Sequence, residues 1–71
     1  MKICQVTGEY IQLNQLLKRE NMAGSGGLAK EMIERGLVKV NGTTATEIRK
    51  KLRSGDIVEF EGEKLQIQTE N

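Results

Sequence analysis

Ser25-Gly26-Gly27-Leu28-Ala29-Lys30-Glu31-Met32-Ile33-Glu34-Arg35-Gly36-Leu37-Val38-Lys39-Val40-Asn41-Gly42 is the stretch on which the fold turns. Ser25 is a helix N-cap by type, because its hydroxyl can accept a backbone N–H from the first turn. From there Leu28, Ala29, Met32 and Ile33 recur at the spacing of an amphipathic helix and form its expected buried stripe. Gly36 stands where a left-handed residue ends a helix, and Arg35 puts a cation at the negative end of the helix dipole. The period then falls from 3.6 to 2. Val38 and Val40 point one way and Lys39 the other, and Asn41-Gly42 supplies the two positive-φ residues of a tight turn.

Working outward, residues 1–6 read as an edge strand, with Ile3 and either Cys4 or Val6 alternating with polar neighbours and Thr7-Gly8 ending it. Leu13, Leu16 and Leu17 predict a first helix beginning at Ile11 and stopping near Glu20 or Asn21, before the glycine-rich stretch that leads to Ser25. Residues 43–53 show no clean period and are expected to be a long irregular loop with a short helical turn, Ile48 and Leu52 each placing one side chain on the core. Gly55-Asp56 then turns the chain into Ile57-Val58-Glu59-Phe60, and Glu61-Gly62 turns it back into a strand carrying Leu65 and Ile67. Phe60 is expected in the core and Cys4 half-buried.

The chain has 71 residues and a net charge of +1, which conceals a strong asymmetry. From residue 18 to residue 53 nine Lys and Arg stand against four Glu, a balance of +5, and the flanks carry two Lys against six Asp and Glu, a balance of −4. Four of the five residues 49–53 are basic: Arg49, Lys50, Lys51 and Arg53. Local excess of this kind creates the potential that attracts a phosphate backbone, whatever the total charge. A solvated charged loop is the plainer reading of the same run.

Several classes lose support at once. A lone cysteine and no histidine leave no internal disulfide and no zinc-ligand set of Cys and His. Catalytic residues, metal and cofactor are therefore all expected to be absent, since general acid–base chemistry has little to work with. Residues 25–27 lack the Gly-Lys-Ser/Thr ending of a nucleotide-binding P-loop. The longest apolar runs are too short for a signal peptide or membrane span, so a soluble cytoplasmic protein is expected. Tyr10 and Phe60 are the only aromatics, which favours structured RNA over single strands, because stacking platforms are scarce.

Taken in order, Ile11-Gln12-Leu13-Asn14-Gln15-Leu16-Leu17, Ser25 through Lys30, Gly36 through Gly42, and Arg53-Ser54-Gly55-Asp56-Ile57-Val58 make a chain that resembles the S4-type RNA-binding domain, or alpha-L motif. The likeness runs over about residues 11–62. Within that superfamily it is most similar to the small stand-alone bacterial proteins of the YaaA/YbcJ type, which share the Ser-Gly-Gly-x-Ala-Lys stretch and the basic Arg-Lys-Leu segment. Two departures stand out: Gln12-Leu13-Asn14 replaces the commoner Arg-Leu-Asp, and Ser25-Gly26 replaces Ser-Arg.

The resemblance implies an α+β fold, one domain over residues 1–71, with two short helices packed on a small, mostly antiparallel sheet. It also implies a non-enzymatic RNA-binding protein whose partner is structured RNA, ribosomal or transfer RNA, with the ribosome itself among the expected partners; a monomer is expected. The expected contacts are Ser25, Gly26, Gly27, Lys30, Lys39, Asn41, Arg49, Lys50, Lys51 and Arg53, converging on one side beside the second helix. Unpartnered N–H groups at that helix start, approachable over the two glycines, fit a phosphate. Arg35 is read as a polar-face residue instead. The rival expectation is an assembly module whose basic loop meets an acidic protein and takes no RNA.

Overall fold

The computed structural model describes residues 1–70. Along the chain the elements are β1 (Lys2–Val6), β2 (Ile11–Gln12), α1 (Leu13–Arg19), α2 (Gly26–Glu34), β3 (Val38–Val40), β4 (Thr43–Thr44), β5 (Lys51–Leu52), β6 (Ile57–Phe60) and β7 (Glu63–Thr69). Five of the strands form one sheet in the order β1-β7-β6-β3-β4, and β2 pairs with β5 in a separate ribbon. Every pairing is antiparallel except β1 with β7, so the sheet is mixed with one parallel edge.

Alternation along each strand separates an inner from an outer sheet face. Cys4, Val6, Val38, Val40, Val58, Leu65 and Ile67 turn inward and are buried. They meet Leu13, Leu16 and Leu17 of α1 and Ala29, Met32 and Ile33 of α2 in one core cluster. A helix as short as α1 does not persist in water by itself. Its three leucines are fully buried, each worth roughly 1.5–3 kcal/mol on transfer from water, and that burial holds the helix.

The turns follow their residue types. Gly36 has φ +73°, ends α2 and donates to the Ile33 carbonyl, while the Leu37 N–H reaches the Met32 carbonyl. Asn41 and Gly42 have φ +53° and +82° and close the hairpin in which Val40 faces Thr43. Glu61-Gly62 repeats that geometry between β6 and β7.

Four expectations change. Helix α1 starts at Leu13, because Ile11 and Gln12 are drawn into antiparallel pairing with Leu52 and Lys51. Residues 43–53 are correspondingly not an irregular loop: they contain β4, β5 and a turn in which the Lys50 N–H approaches the Glu47 carbonyl at 3.4 Å. Leu28 is 44% exposed, since rotation of α2 about Ala29, Met32 and Ile33 puts it at the margin of the buried stripe. Cys4 is fully buried, while Phe60 is half-buried against the core.

Candidate nucleic-acid interface

The basic segment is held rigidly by its own backbone. Leu52 faces Ile11 across the β2–β5 ribbon and both are buried, so their neighbours Lys51 and Arg53 turn outward. The carbonyls of Lys50 and Ile48 accept the N–H groups of Leu13 and Asn14, at 2.8 and 3.1 Å. The first turn of α1 thus spends its free donors on the basic segment, which settles the path of residues 48–53 over the end of that helix.

On the outer side of the ribbon lies Tyr10. Its ring centroid is 4.9 Å from the Lys51 ammonium and 5.7 Å from the Arg53 guanidinium carbon, within cation–π range for both. Among the described residues none of Arg49, Lys50, Lys51 and Arg53 forms an ion pair. Three of the other seven cations contrast with them: Lys2 and Arg19 meet Glu20, and Arg35 meets Glu31 at 3.6 Å one turn earlier on α2. An uncompensated cluster can exchange condensed counterions for phosphates without first breaking internal pairs.

Behind Arg53 the chain is tied down by a carboxylate. Asp56 accepts the Arg53 N–H through Oδ2 at 2.8 Å and the Asn41 amide nitrogen through Oδ1 at 3.0 Å. Asn41 Oδ1 in turn accepts the Ile57 N–H at 2.9 Å. Both ends of the Asn41 amide are therefore engaged within the protein, where it joins two turns.

At the start of α2, Ser25 Oγ accepts the Leu28 N–H at 3.1 Å, as a cap should. The N–H groups of Gly26 and Gly27 have no protein acceptor among the described residues. A Cβ placed on Gly26 would meet nothing within 4 Å, and one on Gly27 only Ser25 Oγ at 3.9 Å. Neither glycine has a positive φ. The fold thus requires glycine at neither position, even though glycine costs helix stability. Lys30 lies exposed on the same helix and forms no ion pair among the described residues.

The expected convergence is only partial. The C-terminal end of α2, at Ile33 through Gly36, borders a cleft shared with Thr44, Ala45 and Thr46. Lys50 joins those threonines in an adjoining cleft. Residues 25–27 stand at the opposite end of α2 from that cleft, a helix length of about 13 Å at 1.5 Å per residue. Lys39 departs further. It pairs in register with Glu59, and Glu59 with Lys64, on the outer face of the sheet, turned away from both helices. Strand alternation dictates this once Val38 and Val40 are buried.

Residues 4–68 match the S4 domain. This chain belongs to the S4 domain family. The S4 domain here is 40% identical over 58 residues to the "Putative RNA-binding protein YbcJ" of Escherichia coli K12, covering 82% of this chain and 83% of that protein. The same figures hold for the "Uncharacterized protein YbcJ" of Shigella flexneri. The solution structure of E. coli YbcJ, described as revealing an alpha-L motif involved in RNA binding, matches with a TM-score of 0.70 at 35% identity, over 96% of this chain and 87% of that one. The α+β alpha-L architecture inferred from the sequence is thus the one observed.

Within this S4 domain, Tyr10 is the neighbour of the basic segment that sequence reading missed. The signal was present but short: Tyr10-Ile11-Gln12 and Lys51-Leu52-Arg53 each place one apolar residue between two polar or amphipathic ones, the alternation of a half-buried strand. Nothing local says that the two stretches pair.

Proposed function

We propose that this S4 domain binds RNA through phosphate contacts and that its principal surface is the β2–β5 ribbon with Arg49, Lys50, Lys51 and Arg53. The observation that carries this reading is a set of four cations without internal ion pairs, on a segment whose backbone is anchored to both β2 and α1. The names of the YbcJ relatives point the same way. Ser25, Gly26, Gly27 and Lys30 form a second contact, which a folded RNA spans more readily than an isolated strand does. Asn41 supports the ribbon from behind, and Lys39 on the outer sheet face is left out of the surface. Within this proposal the domain acts as a cytoplasmic monomer without catalysis, on ribosomal or transfer RNA.

Electrostatic binding of this kind has a measurable signature. Neutralising about four to six phosphates gives a slope of log affinity against log salt of roughly −3 to −5. Protein purified without nuclease should carry material absorbing at 260 nm that high salt removes. Affinity for a folded RNA that does not change between low and moderate salt would sink the proposal, and capture of an acidic protein without RNA would support an assembly module instead.

A further inference from the structure

We infer that Tyr10 is a stacking platform for one unpaired nucleobase, with Lys51 and Arg53 taking the phosphates on either side of it. The inference rests on the RNA-binding reading above and specifies which element of a folded RNA the site receives.

Three observations carry it. Tyr10 is 39% exposed even with both cations placed against its ring, so part of its surface remains open. No core role accounts for it, because the core cluster contains its neighbour Ile11 and excludes Tyr10. An aromatic ring beside two uncompensated cations, next to the β2–β5 ribbon, is also the chemistry that holds unpaired nucleotides: the ring takes the face of the base and the cations take the backbone. A fully paired duplex offers such a ring no base face, whereas a bulge or loop does. With no second aromatic beside it, the site accommodates one base and not a run of stacked bases.

The chain supplies its own probe, since Tyr10 is its single tyrosine and it has no tryptophan. The protein is titrated with three RNA duplexes annealed from two strands and so without a hairpin loop: one with a single bulged adenosine, one with the bulge deleted, and one with an abasic ribose in the bulge. Tyrosine emission should be quenched by the bulged adenosine and not by the other two. Tyr10→Leu should weaken binding of the bulged RNA about tenfold or more, as stacking energies measured by truncation imply, and leave the fully paired duplex unaffected. Tyr10→Phe should keep wild-type affinity. Equal quenching by all three RNAs, or an equal loss on all three for Tyr10→Leu, would show that the ring only holds the cations, which overturns the stacking role and leaves RNA binding standing. Binding to none of the three at low salt overturns both.

Discussion

The side-chain amide of Asn41 donates to the carboxylate of Asp56 across 3.0 Å, linking the turn after β3 to the turn that follows the basic segment. Through its other oxygen Asp56 holds the backbone N–H of Arg53. A hairpin-turn residue and a loop carboxylate thereby fix where one cation of the proposed surface leaves the chain.

Asn41→Gly tests that link without disturbing the turn, since glycine accepts the positive φ of this position. Two exposed hydrogen bonds disappear, and we expect a loss of about 1 kcal/mol, in line with the modest net value of such bonds. Urea denaturation should show a lower midpoint at unchanged slope. RNA affinity at fixed salt should stay within about twofold of the wild type; a larger loss at unchanged salt slope would make Asn41 a neutral contact to the RNA.

Opposite effects on stability and binding are expected at the start of α2. Gly26→Ala and Gly27→Ala place a methyl group in open space on a helical backbone. Each should stabilise the fold by about 0.4–1 kcal/mol, mainly by restricting the unfolded chain. Each should weaken RNA binding, because the methyl group stands where a phosphate would approach the N–H groups. Stabilised variants that bind as tightly as the wild type would remove residues 25–27 from the interface.

Charge reversal separates the ribbon from diffuse electrostatics. Lys50→Glu with Lys51→Glu should abolish most RNA binding while the far-UV circular dichroism remains that of the folded protein. Arg35→Ala should change affinity by less than about twofold, because that guanidinium is already committed to Glu31. Lys39→Ala should be similarly mild, given Glu59 opposite it in register. Comparable losses from all of these changes would mean that overall charge, not the ribbon, governs binding.

Cys4 yields a prediction about pH. Burial pushes its thiol pKa above the ordinary value, and the Glu20 carboxylate, which accepts from the sulfur at 3.6 Å, pushes it further the same way. The folded state therefore favours the neutral thiol. Its contribution to stability is complete below the ordinary thiol pKa of about 8.5 and is lost progressively as pH rises through the higher folded value. Wild-type stability should fall faster than that of Cys4→Val above about pH 8.5, as read by urea denaturation across a pH series. Alkylation of native Cys4 at neutral pH should be slow, and Glu20→Gln should accelerate it.

The parts of the fold that were legible in the chain are those where one residue type decides a local geometry. Gly36, Asn41-Gly42 and Gly62 occupy positive-φ positions, and few residues other than glycine and asparagine do so without cost. Leu13, Leu16 and Leu17 announce the buried face of α1, although Ile11 and Gln12 just before them carry no sign that they belong to a strand. Leu28 shows the limit from the other side: periodicity placed it in the stripe, and only the docking of α2 on the sheet decided how wide that stripe would be.

Chain order alone therefore determined the two helices, their stops, the terminal hairpin and the clustering of positive charge, because short-range sterics, capping and side-chain period act between residues close in the chain. Tertiary structure decided what those charges face. It paired Ile11 with Leu52, brought Tyr10 within reach of Lys51 and Arg53, and sent Lys39 to the far side of the sheet. Such pairings depend on which distant strands share a register. Register is set by joint burial of apolar side chains from the whole chain, a condition that no local segment encodes.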